Sequence, residues 1–465
     1  MQKLPLKSIV QQINGNIVQG TEDLDIRRLV TRSRRLHKGT LLLDLDPDIP
    51  VNPDFFQSHF PCAVVTQRPG DFGTAGENLT IIQVPDMEET YWKFVEFYRD
   101  SFNIPVIGVT GTCGKTTTKE MIRHILAGTY RVSATYKSYN ASFRHLGYLL
   151  EIDKRTQAAV YEMGVASPGD LIGSCRHFKP QIGVITNIGI DHIQGFGSLD
   201  AYIAAKAEML EGLEYQGTLI LNGDDANIAK IDLTRYRGAL IYFGQGDRSH
   251  FKAVNITQES QSVSFTLEYQ GRNYPITFPG YGEFNVYNAT AAIAAAHTLG
   301  IGIEESRARL ESFQNVEKHF QLKAGIHGSI IVDDTWSTNP TSAEAALRLL
   351  KSLSHRKKSV AVLGKMALLG RESAQYHYRI GEKAALLGID RLIAMGEGAE
   401  EIGYGALKSG MDREHVFLCR DSEQTLAVLN KILDHNSIAL IKTSMLSSYP
   451  DLIAKISAAR SLPES

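Results

Sequence analysis

Residues 104–126 spell a strand that turns through glycine into a helix. The apolar run Ile104-Pro-Val-Ile-Gly-Val109 leads into Gly111-Thr-Cys-Gly-Lys-Thr-Thr117, and Met121, Ile122, Ile125 and Leu126 then recur at helical spacing. Such a turn aims unsatisfied backbone N–H groups and the positive end of a helix dipole at one spot, which makes it a phosphate cradle. Lys115 adds a cation for the β- and γ-phosphates, and Thr116 a hydroxyl able to ligate Mg²⁺. The strict Walker pattern would place glycine at position 109, where this chain has Val109, so the form is the shorter G-x-x-G-K-T-T. A chance glycine turn ending in Gly-Lys would not need the strand before it and the helix after it.

That unit begins an alternation of strands and helices. Runs at 158–163, 183–188 and 218–222 read as strands, and 199–213 as a helix, which implies a parallel sheet with helices on its faces. Between 251 and 278 the period changes to two, with Gly271-Arg-Asn as a turn, so antiparallel hairpins are expected. An alanine-rich helix at 286–299 and a short helix with linker at 300–314 follow. A second alternating series comprises 329–332, 342–353, 360–364, 376–387, 391–396, 422–433, 438–442 and 451–459. Before the cradle, apolar runs at 41–45, 62–66 and 80–84 and a helix at 88–102 suggest a smaller α/β domain. A chain of 465 residues exceeds a single core. The expected fold is α/β in three domains: a small N-terminal α/β domain over 1–103, a central P-loop parallel-sheet ATPase domain with an antiparallel hairpin subsheet over 104–314, and a Rossmann-like α/β domain over 315–465.

Composition narrows the partners. Charged residues make up 22% and the net charge is −2, which gives no electrostatic case for nucleic acid or a membrane surface. The four cysteines, at 62, 113, 175 and 419, lack C-x-x-C spacing, so neither a disulfide framework nor a zinc site is indicated. The opening MQKLPLKSIVQQINGN has no apolar signal core, and no uninterrupted apolar stretch of about 18 residues could span a bilayer. A soluble cytoplasmic protein is expected.

A phosphate cradle needs metal ligands, and an open α/β sheet collects its ligands at strand ends. Glu162 ends one apolar run, and Asn187 and His192 follow another. The carboxylate suits Mg²⁺, a hard cation, and is costly to bury without one. His192 by itself reads as structural, since imidazole is a less usual Mg²⁺ partner. Lys206, in Tyr-Ile-Ala-Ala-Lys-Ala-Glu-Met-Leu, by itself reads as a solvated helix lysine.

Taken together, GTCGKTTTKEM, YEMGVASPGDL, KPQIGVITNIGIDHIQGFGSLDAYIAAKAEML, LNGDDAN, GEFNVYNATAAIAAA and VDDTWSTNPTSAEAAL, in this order, resemble the Mur ligase family. The resemblance covers residues 104–460 and is closest to the branch that adds a D-alanyl-D-alanine dipeptide to a UDP-linked muramoyl tripeptide in peptidoglycan synthesis. It implies an ATP-dependent ligase that joins a carboxylate to an amine through an acyl phosphate and releases ADP and phosphate. Gly111, Thr112, Gly114, Lys115, Thr116 and Thr117 would hold ATP and one Mg²⁺, with Asn187 close to the phosphates. Glu162 and His192 would serve the metal sites. Lys206 falls where the family carries a carbamylated lysine, whose two oxygens coordinate a second Mg²⁺. Lys115, Glu162, His192 and Lys206 would form the catalytic set. Asn285 and Asn288 fall on the adenine segment and Asp334 on the ribose residue. The third domain would close over the nucleotide and bring the amine, in a monomeric enzyme.

Against the same pattern, N-x-N-N-x-x-G has become Ser138-Tyr-Asn-Ala-Ser-Phe-Arg144, Gly-Arg has become Lys318-His319, and G-x-H-N has become Gly282-Glu-Phe-Asn285. G-D-M-x-E-L-G has become Gly364-Lys-Met-Ala-Leu-Leu-Gly370, and K-G-S-R has become Lys442-Thr-Ser-Met445. His319 thus stands where an arginine near the nucleotide is expected, and its charge depends on pH. Thr31-Arg-Ser-Arg-Arg-Leu-His-Lys-Gly39 keeps an echo of the UDP-recognition segment. The phosphate and metal residues are kept, while residues that would select substrates have changed. Three readings stand at this point: the peptidoglycan ligase, a related ligase with other substrates in a specialised-metabolite or modified-peptide pathway, and a nucleotide-binding protein without ligase activity.

Overall fold

The computed structural model describes residues 1–457 except 47, 49, 50, 53, 73, 74, 77 and 446–448. The chain divides into two compact units, one made of Met1–Val106, Thr129–Tyr161 and Gly173–Pro180, the other of Ile107–Gly128, Glu162–Ile172 and Gln181–Ser465.

The first unit is built on a five-stranded sheet ordered Asn16–Gln19, Leu79–Gln83, Cys62–Thr66, Thr40–Leu43, Arg28–Val30. The three central strands are the apolar runs expected at 80–84, 62–66 and 41–45, paired in parallel so that Leu42, Val64 and Ile81 lie abreast. Their side chains pack on Leu36, Phe56 and Phe72. The two edge strands are short and half polar, so their sequence carries no strand signal of its own. Helix Met87–Asp100 starts at Asp86, whose side chain accepts the Glu89 N–H at 2.7 Å. It buries Phe94, Val95 and Tyr98. Arg99 is also buried, yet its guanidinium donates to the carbonyls of Phe178 and Phe102, each at 2.7 Å.

His177 belongs to the same unit. Its Nδ1 lies 2.7 Å from the Gly173 carbonyl, which requires the proton there and leaves Nε2 to accept from the Tyr91 hydroxyl at 2.7 Å. This is the bonding of a neutral ring, and burial lowers its pKa. The unfolded chain therefore takes up the proton more readily. The stability this group contributes is complete above the unfolded pKa of about 6.5 and is lost as pH falls toward the folded value. The thermal midpoint is expected to drop between pH 7.5 and pH 5.5, and to drop less in His177→Gln, which keeps a donor and an acceptor. An equal drop in the variant would assign the effect to another group.

The second unit holds two sheets. In the first, Val106–Thr110 pairs in parallel with Ile182–Ile185, followed by Thr218–Asn222, Ala239–Gly244 and Phe251–Gln258. The antiparallel strands Ser262–Tyr269 and Arg272–Pro279 then extend it, as the period-two pattern predicts. Helices Lys115–Ala127 and Glu283–His297 pack on each other. The second helix is buried along almost its whole length, which its alanines permit by filling little space.

The other sheet has the order Gln321–Ala324, Ile330–Asp334, Ser437–Lys442, Lys358–Gly364, Arg391–Met395, Val416–Cys419, with only its first pair antiparallel. The last strand in sequence lies third in space, so the winding reverses beside it and opens a crevice at the carboxyl ends. Helix Pro340–Ser354 begins with a capping box between Asn339 and Ser342. The helix expected at 451–459 is Pro450–Ile456; residues 458 and 459 lie outside the described residues. No described helix is long and apolar enough to cross a membrane. This α/β architecture with mixed parallel sheets agrees with the expected fold class.

Candidate active site

The cradle is held by the strand beside it. Thr112 N donates to the Asn187 carbonyl at 2.8 Å. The Asn187 side chain brackets Cys113, accepting its N–H and donating to its carbonyl, both at 2.9 Å. Thr186 Oγ1 donates to the same carbonyl at 2.7 Å. Asn187 thus fixes the backbone of the Gly111–Thr117 loop. Gly114, at φ 79°, must be glycine for a second reason, since a Cβ there would overlap Asn288 Oδ1. Lys115 Nζ donates to the carbonyls of Gly111 and Thr112 at 3.0 and 2.9 Å, so its ammonium lies over the loop it serves. Thr117 is half-buried one residue beyond Thr116 on the same helix.

Thr116 Oγ1 donates to Glu162 Oε2 at 2.9 Å, and both residues are buried. A hydroxyl and a carboxylate in contact beside the Lys115 loop form an oxygen donor set that fits Mg²⁺. The described residues contain no group of three or more His, Cys, Asp or Glu side chains arranged for a metal.

Lys206 is buried to 1% exposure on helix Leu199–Gly212, with Nζ 3.4 Å from Thr110 Oγ1 and 5.0 Å from the centre of the Tyr202 ring. The solvated-lysine reading of this residue is wrong, because its helix face turns into the sheet. Burial brings its pKa well below the usual lysine range, and the charge of Lys115 acts in the same direction, against Asp191, Glu208 and Glu162. His192 sits at φ 52°, its pKa lowered by burial despite the opposing charge of Asp191. Lys115, Glu162, His192 and Lys206 thus share one electrostatic cluster.

Asn288 reaches across from the alanine-rich helix to accept from Thr118 Oγ1 at 3.2 Å and donate to Asn285 Oδ1 at 3.0 Å; Asn285 donates to the Tyr281 carbonyl at 2.9 Å. The segment after Asp334 runs against the same loop. Asn339 Oδ1 accepts from Cys113 Sγ at 3.5 Å, and Thr341 Oγ1 accepts from Ile190 N at 3.0 Å. Asp334 is paired with buried Lys442 at 2.7 Å, and His319 stacks on Trp336 with centroids 6.0 Å apart.

Four contributors went unread in the sequence. Thr186 and Tyr202 support the cradle, the latter through the Thr112 hydroxyl at 3.3 Å. Asp191 biases the titration of both His192 and Lys206, and its position directly before the histidine was the available signal. Lys442 holds Asp334 and also donates to the Ser337 carbonyl at 3.1 Å, a partnership formed only by the parallel pairing of their two strands.

The Mur ligase middle domain matches residues 109–296, and the Mur ligase, glutamate ligase domain matches residues 320–445. The UDP-N-acetylmuramoyl-tripeptide--D-alanyl-D-alanine ligase of Bacillus subtilis is 29% identical over 451 residues, 96% of each chain. The ligase of the same name from a Synechocystis species is 30% identical over 446 residues, 94% of each chain. Among solved structures, MurF of Acinetobacter baumannii superposes with a TM-score of 0.84 at 27% identity, covering 98% of both chains. With likeness of sequence and fold running nearly end to end, and with the phosphate loop, buried glutamate and buried lysine gathered in one unit, the chain belongs to the Mur ligase family and is an ATP-dependent peptide ligase of that kind.

Proposed function

We propose that this ligase joins the free carboxylate of a UDP-linked muramoyl tripeptide to the amine of D-alanyl-D-alanine in peptidoglycan synthesis. The observation that carries the reading is the contact of the Lys115 loop with Glu162 through Thr116, beside the buried amine of Lys206. In this reading residues 1–103 recognise the UDP-linked substrate, 104–314 bind ATP, and 315–465 bring the amine, in a cytoplasmic monomer. A cavity of about 400 Å³ in the first compact unit, lined among others by Arg28, Arg34, Arg35 and His37, has the cationic character that a pyrophosphate group requires. The altered blocks at 138–144, 364–370 and 442–445 motivate the reading with other substrates, but likeness to the dipeptide-adding ligases over the whole chain does not favour it. The reading without activity is opposed by the retention of Lys115, Glu162, His192 and Lys206.

The chemistry follows from charge. A carboxylate is a poor electrophile, so its oxygen first attacks the γ-phosphorus of ATP, the bond to the β-phosphate oxygen breaks, and ADP leaves. The amine then attacks the acyl carbon and loses a proton, and phosphate departs with its bridging oxygen. Lys115 counters the repulsion between the carboxylate and the transferred phosphoryl group. Asn187, Asn285 and Asn288 keep the loop and nucleotide pocket in register, which is the positioning that lets two anions meet. Mg²⁺, held by Thr116 and Glu162, supplies further charge neutralisation when bound. His192 and Lys206 would hold a second ion, Lys206 as its carbamate: a neutral buried amine adds to CO₂, forms an N–C bond and releases a proton, which would leave one negative charge and two oxygens for the ion. His319 stands at the nucleotide in place of an arginine, and Asp334 holds the ribose.

The test is release of ADP and phosphate with UDP-MurNAc-tripeptide and D-alanyl-D-alanine, with the ligated product identified by mass. No product under conditions where a different pair reacts would remove this assignment. In Glu162→Gln the amide keeps a partner for Thr116 but loses the charge, and the Mg²⁺ concentration for half-maximal activity is expected to rise by about tenfold or more. An unchanged Mg²⁺ dependence would take Glu162 out of the metal site.

A further inference from the structure

We propose that Lys365 binds the terminal carboxylate of the amine substrate, an inference that rests on the reading above. Lys365 follows the last residue of strand Lys358–Gly364, which lies directly beside the late strand Ser437–Lys442, with Leu363 opposite Lys442. This is the crevice where the winding of the C-terminal sheet reverses, the place such sheets receive ligands. On one side Gly364 lies against Thr443, a Cβ there falling 3.0 Å from Thr443 Cγ2. On the other side the lysine stem lies across Gly398, at φ 84°, where a Cβ would stand 3.3 Å from Cε and 3.4 Å from Nζ. Glycine at 398 leaves the stem room to extend along the ends of three neighbouring strands.

Among the cations of this sheet's loops, Lys365 directly follows the strand that borders Ser437–Lys442. Lys442 is buried and consumed by Asp334, and position 445 carries methionine. Lys365 is exposed and has no ion-pair partner among the described residues. The family pattern would place an acid at 365, a second acid at 368 and an arginine at 445, where this chain has Lys365, Leu368 and Met445. A dipeptide carboxylate needs a cation, and these exchanges leave one at the end of strand Lys358–Gly364.

The loop carrying Lys365 is also fixed. Met366 N donates to Nε2 of the buried His377 at 2.8 Å, and His377 Nδ1 is held by the Ser373 carbonyl at 2.7 Å. Farther along, the Leu368 carbonyl accepts from Gln194 N at 3.0 Å, two residues from His192. One short loop therefore spans from the carboxylate crevice to the metal side of the reaction centre. A substrate anchored by its carboxylate at Lys365 keeps its amine free to attack.

The experiment compares D-alanyl-D-alanine with its C-terminal amide, in wild type, Lys365→Gln and Lys365→Arg. Wild type should favour the free acid. In Lys365→Gln the KM for the acid should rise about 10- to 100-fold with kcat and the KM for ATP little changed, the amide should be unaffected, and Lys365→Arg should recover much of the loss. An unchanged KM, or equal losses for acid and amide, overturns the proposal. If wild type does not use this dipeptide but uses another amine, the substrate reading fails instead, and the same acid and amide comparison on that amine decides the role of Lys365.

Discussion

Lys115→Ala is expected to lower kcat for ADP formation by about 10²- to 10³-fold, the range seen when one preorganised donor to developing charge is removed. The Lys115 ammonium lies within 3.0 Å of two loop carbonyls, at the mouth of the cradle. The alanine variant keeps the loop amides, which are held by Asn187 and Thr186, so nucleotide binding should weaken far less than turnover. Lys115→Arg restores charge with a planar fork in place of a compact ammonium and should recover little. Initial-rate measurement of ADP release, with calorimetric titration of ADP, separates the two quantities. A kcat within threefold of wild type would remove Lys115 from the reaction.

The second large effect concerns Lys206. A methionine at this position matches the length and apolar surroundings of the lysine stem, so Lys206→Met should fold at least as well as wild type. It cannot form a carbamate, and its activity is expected to fall by about 10²-fold or more, at the scale of a lost metal contribution. Lys206→Arg keeps a permanent charge where burial disfavours one, and should lose both stability and activity. Supplying ¹³C-bicarbonate should give a carbamate signal in wild type that is missing from Lys206→Met. Wild-type activity indifferent to bicarbonate, with no such signal, would leave Lys206 a packing residue.

The parts of this molecule legible in its sequence are those where chemistry is local in the chain. Gly111–Thr117 declared itself because strand, turn and helix are contiguous, and the parallel series around it followed from periodicity. Lys206 was legible only through resemblance, since in its own helix it reads as an exposed cation and is buried by the sheet it packs on. Lys442 and Asp334 lie far apart in sequence, so their pairing depends on strand order that periodicity does not carry. The edge strands Asn16–Gln19 and Arg28–Val30 are half polar and take their structure from neighbours. Asn288 falls on the nucleotide segment by resemblance alone, while its contacts with Thr118 and Gly114 come from the packing of two helices distant in sequence.

That packing gives the alanine-rich helix Glu283–His297 a second character. Its buried face presses directly on the helix that begins at Lys115, and Asn288 is the side chain that touches Gly114. The helix that flanks the phosphate loop is therefore a piece of hydrophobic core, with no soft layer between core and loop. Whatever holds the core at its spacing also holds the phosphate loop at its own, and a nucleotide bound on that loop would add to the contacts that resist unfolding. Loosening this interface is expected to lower thermal stability and nucleotide affinity together.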